Sequence, residues 1–298
     1  MASILASLQT KIKEIYGEDS LNWLDRSYVV DWVVAVGLLL LSQVFLVVPV
    51  FERDFSIDDP LINHPHTHQR ISGTMNWMVS VVVPVGISGF VGGIRGSVPE
   101  IHHALLASFS GRAISELVTE AMKNRVGRLR PDFLARCAWN AATAMCTGDP
   151  GDITDGRRSF PSGHSSTAFV GMTFLTLFLA GKTTAFCFVA PAPPGAWLGS
   201  RMARLTVTLS PLVFAAWVAI TRVEDYRHHK EDVIVGSLIG AISATITYLI
   251  FWPSPFSAQS FTADTAGRPR LVYTSHEVHR RRNGGYELTR LDNDVEVV

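Results

Sequence analysis

Apolar residues in this chain gather into six runs separated by polar stretches. The first, Tyr28 to Val50, is long enough for a hydrocarbon core that needs ~20 helical residues, and its one carboxylate, Asp31, sits near the start where it can reach the interface. Met75 to Gly93 is interrupted by Pro84 and several glycines, both commoner in membrane helices than in soluble ones. Ile101 to Met122 is the most polar run, carrying Arg112, Glu116 and Glu120. Arg112 and Glu116 are four apart on a helix, so they can pair on its protein-facing side and make the segment tolerable inside a bundle. Ser165 to Ala180, Leu205 to Ile220 and Val233 to Trp252 complete the set. The pattern predicts an all-α, polytopic membrane protein of six transmembrane helices, with a long extramembrane loop between the third and fourth.

Three regions follow. Residues 1–28 form an amphipathic lead-in, expected on the cytoplasmic side, whose mix of Lys11, Lys13, Glu14 and Glu18 with apolar residues does not read as a cleavable signal peptide. Residues 29–252 form the six-span domain. Residues 253–298 form a flexible polar tail with too few apolar residues to bury. An even number of spans puts both termini on one side, which brings Lys123 to His164 and Thr221 to Asp232 to the same opposite face. Lys and Arg number 13 on the terminal side and 12 on the other, so raw charge does not orient the chain. With Lys123, Arg130 and Arg222 set aside as binding groups, the balance favours cytoplasmic termini by the positive-inside rule.

Composition narrows the class. Charged residues make up 17% of the 298, against roughly 25% in soluble proteins. Lys and Arg equal Asp and Glu at 26 each, which leaves no basic field for nucleic acid. Cys137, Cys146 and Cys187 lack any CxxC spacing for zinc. His64, His66 and His68 alternate in the first loop, and alternate residues of an extended chain converge poorly on one ion, so a solvated loop is expected there. Gly181-Lys182-Thr183 ends like a phosphate-cradling loop, but Thr176 stands where that pattern needs its first glycine.

Three short blocks carry chemistry. In the first, Lys123 and Arg130 lie at the end of the third run, and Pro131 is expected to stop the helix just after Arg130. Arginine meets the oxygens of a phosphate with parallel hydrogen bonds, and lysine adds a compact charge. In the second, Pro161-Ser162-Gly163-His164 precedes the fourth run: a favoured N-cap, a glycine that lets a ligand approach, free N–H groups of a first turn, and a histidine placed to donate a proton. In the third, Thr221 to Asp232, Arg222 adds a cation. His228 and Asp232 stand four apart, so that on a helix the carboxylate would fix the imidazole tautomer and leave the other nitrogen free to attack phosphorus. His229, the rival nucleophile, has Val233 at the matching position. Alone, each block has an ordinary explanation: the basic flank of a membrane helix, a helix cap, or a His/Asp pair at a helix start. The loop hangs between two membrane segments, which makes a lipid the expected carrier of the anion.

Together the blocks resemble the type 2 phosphatidic acid phosphatase superfamily, in particular its membrane lipid phosphate phosphatases. Lys123 and Arg130-Pro131 match the first family block, Pro161 to His164 the second, and Arg222, His228 and Asp232 the third. Thr221 stands where the family usually has serine, which keeps the hydroxyl and crowds it with a methyl. Ten fixed identities at ~5% each, over roughly a few million placements of three blocks, give a chance expectation on the order of one in a million. Gly127-Arg128-Leu129, Phe133, Arg136-Cys137, Asp155 to Ser166, Asp225 to His229 and Phe55 to His66 extend the likeness, which covers roughly residues 29 to 252 and is nearest to fungal diacylglycerol pyrophosphate phosphatases.

The resemblance implies metal-independent, cofactor-free hydrolysis in two steps. His228 forms a phosphohistidine and Asp232 orients it. His164 acts as acid and then base, while Lys123, Arg130, Arg222, Ser162 and Gly163 hold the phosphoryl oxygens. It also implies an integral, multi-pass protein of an endomembrane, vacuolar or plasma membrane, acting on lipid phosphates such as phosphatidic acid from the lumenal or extracellular face. Cys137 and Cys146 lie in the loop on that side, either paired or as two free thiols. Other readings stay open: a vanadate-binding haloperoxidase, whose relatives are typically soluble, transfer of the phosphoryl group to another lipid, and a six-span transporter or lipid-binding protein with a decayed site.

Overall fold

Capping residues, more than hydropathy, set the ends of the helices that the six apolar runs become. The computed structural model describes residue 7 and residues 10–15, 17, 21–190, 195, 199–262 and 267–273. Residues 1–6, 8, 9, 16 and 18–20 of the lead-in, the Pro191, Pro193 and Pro194 connector, and residues 274–298 of the tail lie outside the described residues. Helix α1 is Ser27–Val47, α2 Gly73–Ile94 and α3 Val98–Val126. The loop after α3 holds the short helix α4, Phe133–Cys137, a two-residue hairpin of β1 (Trp139–Asn140) and β2 (Met145–Cys146), and α5, Pro150–Gly156. Then come α6 Gly163–Thr183, α7 Arg201–Glu224 and α8 Lys230–Phe251.

Five of these helices, α1, α2, α6, α7 and α8, are long and apolar enough to cross a membrane. Helix α3 is longer than any of them but too polar to qualify by composition. Its position accounts for that polarity, because α3 packs against α1, α2, α6 and α8 and shows little of itself to lipid. Its charges are matched: Arg112 pairs with Glu116 and with the Thr167 hydroxyl, and Glu120 pairs with Lys123 and Arg158. Such pairing inside a bundle removes most of the cost of ionised groups in hydrocarbon. The outer helices run the other way. On α8, Ile234, Leu238, Ile242 and Ile246 are exposed at four-residue intervals while Asp232, Ser243 and Thr247 are buried, an apolar outside around a polar inside.

Two glycines decide how the helices meet. Gly236 and Gly240 on α8 lie against the backbone of Ser162 and Ser166, where a Cβ would collide, so α8 rides directly on the first turns of α6. Gly127 ends α3. It adopts φ 57°, a left-handed conformation that glycine takes without strain, and its N–H donates to the Lys123 carbonyl. The helix therefore stops four residues before Pro131, not just after Arg130 as the proline implied. Arg128 to Arg130 run through the loop.

The opposite end of the bundle is closed by rings. Trp23, Tyr28, Phe174, Phe178, Tyr248, Phe251 and Trp252 form one buried cluster. Residues 267–273 fold back against it: the Arg270 N–H donates to the Phe251 carbonyl at 2.7 Å, Lys182 donates to the Gly267 carbonyl, and the Tyr273 hydroxyl donates to Asp31 at 3.1 Å.

Candidate active site

Two helix starts abut because α8 sits on α6. Ser162 caps α6 by accepting from the Ser165 N–H, and its own N–H donates to the Asp232 carbonyl at 2.9 Å. His164 follows in the first turn, where its carbonyl accepts from Asn76 Nδ2 at 3.0 Å. Its Nε2 is buried with no hydrogen-bond partner among the described residues, an atom left free for a ligand.

His228 does not lie on a helix. Tyr226 takes a positive φ of 52°, the chain turns, and α8 begins only at Lys230. The i,i+4 helical relation expected from the sequence is therefore absent, and Nδ1 of His228 donates to the Ser159 carbonyl at 2.7 Å. Asp232 Oδ2 stands 3.7 Å from that nitrogen, beyond hydrogen-bond length. It accepts instead from the Ser159 hydroxyl at 2.5 Å and from the His229 N–H at 3.0 Å, while Oδ1 accepts from Arg128 Nη1 at 2.7 Å. Both paths converge on Ser159, so the tautomer with Nδ1 protonated and Nε2 free is set by a carbonyl, with the carboxylate behind it. His229 points elsewhere and donates Nε2–H to the Leu61 carbonyl at 3.2 Å.

A cavity of about 230 Å³ opens in front of these groups, lined by Gln69, Lys123, Arg130, Asp155, Gly163, His164, Arg222, Arg227 and His228. Pockets that enclose drug-sized ligands run to ~300–1,000 Å³, so this one suits a headgroup and not an acylated lipid. Of the residues expected from the sequence, Lys123, Arg130, Gly163, His164, Arg222 and His228 line it together. Ser162 and Asp232 do not: both are fully buried behind the wall, one as a cap and the other as the anchor of Ser159 and the α8 N-terminus.

The cations are fixed before any ligand arrives. Lys123 Nζ donates to Glu120 Oε1 at 2.6 Å and lies so close to Gly163 that a Cβ there would sit 2.8 Å from it. Arg130 donates from Nε to the Asp155 carbonyl at 2.8 Å and from Nη2 to Asp155 Oδ1 at 2.7 Å. Arg222, buried, donates from Nη2 to Thr221 Oγ1 and Asp225 Oδ2, both at 3.1 Å, and from Nη1 to Gln69 Oε1 at 3.4 Å. Four guanidinium and ammonium groups thus face one carboxylate across the cavity. Burial, helped by the charges of Arg130 and Lys123 and opposed by Asp232, pushes the His228 imidazole down to about 4, so it is neutral at physiological pH. Partial burial pushes the Asp155 carboxyl up, but Arg130 and Arg136 outweigh it and hold the group below the usual carboxylate range.

The first loop is not simply solvated. His66 Nδ1 donates to Asp132 Oδ2 at 2.7 Å, Arg227 Nη2 donates to His66 Nε2 at 3.3 Å and to the Thr67 carbonyl at 2.7 Å, and the Thr67 hydroxyl donates to the Asp225 carbonyl at 2.8 Å. His64 stacks on Tyr226 with ring centroids 4.4 Å apart. The loop is a third wall of the site. Gln69, Arg227 and Asp155 are the lining residues that sequence reasoning did not single out. Asp155 and Arg227 had a signal only as members of the longer runs Asp155 to Ser166 and Asp225 to His229, and Gln69 had none. Cys137 and Cys146 are joined by a disulfide that closes the small hairpin behind Arg136.

Comparison with known proteins places the chain in a family. A family model described as the PAP2 superfamily matches residues 104–255. Lipid phosphate phosphatase 2 of Arabidopsis thaliana is 34% identical over 241 residues, covering 78% of this chain and 79% of that protein. The probable diacylglycerol pyrophosphate phosphatase 1 of Schizosaccharomyces pombe is 34% identical over 75% of this chain and 81% of its own. Diacylglycerol pyrophosphate phosphatase 1 of Saccharomyces cerevisiae is 34% identical over 74% and 80%. No solved structure matches the chain.

Proposed function

The chain belongs to the PAP2 superfamily, and we propose that it is an integral-membrane lipid phosphate phosphatase that hydrolyses phosphatidic acid and diacylglycerol pyrophosphate through a phosphohistidine. The observation that carries the reading is the convergence of His164 and His228 on one cavity with Lys123, Arg130 and Arg222.

The chemistry follows from the placement of protons. Nδ1–H of His228 is held by the Ser159 carbonyl, so the Nε2 lone pair attacks phosphorus. As the P–O bond to the lipid breaks, His164 gives its proton to the departing oxygen, releasing diacylglycerol from phosphatidic acid or phosphatidate from the pyrophosphate. Water then attacks the phosphohistidine, His164 takes one of its protons, the P–N bond breaks, and inorganic phosphate and neutral His228 are regenerated. Charge moves onto the equatorial oxygens throughout. Lys123, Arg130, Arg222 and the first-turn N–H groups at Gly163 and His164 are fixed in advance to meet it, the electrostatic contribution that usually dominates.

Helix α3 crosses the membrane with the other five, its charges matched inside the bundle. Six spans leave both termini in the cytoplasm and open the site to the lumenal or extracellular face of an endomembrane, vacuolar or plasma membrane. The disulfide beside the site favours that oxidising side.

The test is His228→Ala in the purified protein. Phosphate release from phosphatidic acid and the acid-labile phosphoenzyme both disappear; substantial residual turnover overturns the assignment. Wild-type activity persists in EDTA, and a loss restored by magnesium counts against the mechanism.

A further inference from the structure

An anion site has a reason to exclude carboxylates, yet Asp155 lines the cavity and holds Arg130 twice, its Oδ1 accepting from Nη2 and its main-chain carbonyl from Nε. Oδ1 of the carboxylate meets the guanidinium as a phosphoryl oxygen would, in line with the strong pairing of arginine with either anion. A phosphoryl group can therefore claim Arg130 only by sharing it with Asp155 or displacing it.

We infer that Asp155 is a tethered competitor for the phosphate subsite, weakening the hold on inorganic phosphate so that the product leaves. Its surroundings fit that role. Asp155 Oδ2 also accepts from Arg136 Nη1 at 2.8 Å, and Arg136 is buried and anchored by Asp132 at 3.0 Å. When a phosphoryl group takes Arg130, the carboxylate keeps a second cation and is not orphaned. The Asp155 side chain is 48% exposed, so it has room to swing, whereas Arg130 and Arg136 are held in the wall. Displacement is thus confined to one short side chain near the end of α5. The competition falls on both ligands, but unequally in consequence. A lipid phosphate is also held by its acyl chains in the bilayer, while free phosphate has only the pocket. The inference rests on the phosphatase reading in naming phosphate as the product.

A structural clasp makes the opposite prediction. If Asp155 served only to orient Arg130, its removal would loosen the arginine and weaken phosphate binding. Competition instead predicts tighter binding in Asp155→Asn, which keeps the shape and removes the charge. The experiment titrates inorganic phosphate calorimetrically into the full-length protein in detergent. The dissociation constant of D155N is expected to fall about tenfold, equivalent to about 1.4 kcal/mol, and phosphate inhibition of lipid hydrolysis should tighten in parallel. Asp155→Ser, which also removes the charge, should show the same direction. An unchanged or larger dissociation constant in folded variants overturns the inference, as does absence of phosphate binding in all three proteins or failure of both variants to fold. A wild-type protein that binds phosphate but dephosphorylates no lipid would sink the phosphatase reading and leave this comparison of binding constants standing.

Discussion

Both polar ends of the bundle bury charged groups, and only one of them reads as a site. At the terminal end Glu100, 1% exposed, is met by Lys182, whose ammonium also lies 4.8 Å from the Phe178 ring centroid, and the surroundings are tryptophan, tyrosine and phenylalanine. At the other end Lys123, Arg130, Arg222 and Arg227 share a cavity with one carboxylate. Buried charge is common to both, so it does not define function. A surplus of one sign lining space for a ligand does: the first end is filled by its own side chains, whereas the second turns four cations and one carboxylate toward an open cavity, with the other carboxylates that pair with those cations set behind its wall.

Removing one charge at each end breaks the comparison most directly. Arg222→Gln takes a cation from the surplus and is expected to lower kcat/KM about a thousandfold, ~4 kcal/mol of transition-state stabilisation, with the smaller loss of thermal stability of the two because its buried partner Asp225 keeps Arg70. Glu100→Gln strips the matched end and leaves Lys182 buried beside a neutral partner. Loss of one member of a buried pair costs ~3 kcal/mol, so the melting temperature should fall while kcat/KM of the folded fraction stays put. Activity assays and thermal melts on both variants check the pair. If Arg222→Gln unfolds the chain and Glu100→Gln abolishes chemistry, the two ends have been misread.

Acid probes the same contrast through one imidazole. The folded state holds His228 down to about 4, below the ordinary 6.5, because burial and the neighbouring Arg130 and Lys123 disfavour its charged form. Between those two values the unfolded chain binds more protons than the folded one, so stability rises with pH across that window. The contribution is complete above about 6.5 and lost as pH falls toward 4, by no more than about 3 kcal/mol. Turnover of the folded enzyme falls only at the lower end of that window, near 4, where His228 is protonated and is no nucleophile. Melting curves at several pH values should show His228→Asn losing less stability than wild type on acidification. Equal losses would mean that other groups carry the acid sensitivity.

The helices were legible because hydropathy is a local property: Tyr28 to Val50 and Val233 to Trp252 foretell α1 and α8 to within a few residues. The three blocks that meet at the cavity were legible because each is short and contiguous. What escaped depends on contacts between distant positions. His66 bonds to Asp132, Gln69 to Arg222, and His228 to the Ser159 carbonyl, 66, 153 and 69 residues away in sequence. No pattern in residues 64–69 announces such partners, so an alternation of histidines looked like solvated loop. The Asp232 assignment shows the same limit. Spacing predicted proximity to His228, which the structure has, but not that the carboxylate would serve the α8 N-terminus and Ser159. Gly127 outranked Pro131 as a stop because a left-handed cap closes a helix wherever it falls, while proline only forbids its continuation.

The smallest expected effect sharpens what the surplus of cations needs behind it. Thr221 is fully buried, donates to the Val218 carbonyl at 2.7 Å, and accepts from Arg222 Nη2 at 3.1 Å and Nε at 3.3 Å. The hydroxyl thus steadies the guanidinium, and the methyl only fills space. Thr221→Ser keeps the hydroxyl, so kcat/KM should stay within about threefold, at a stability cost of ~1 kcal/mol for one buried methyl. Thr221→Val keeps the volume and removes the acceptor, so kcat/KM should fall about tenfold, the worth of one hydrogen bond to a charged group. Kinetics on the two variants decide between hydroxyl and methyl. Should serine prove as damaging as valine, packing around Arg222 and not its hydrogen bond is what holds the cation in place.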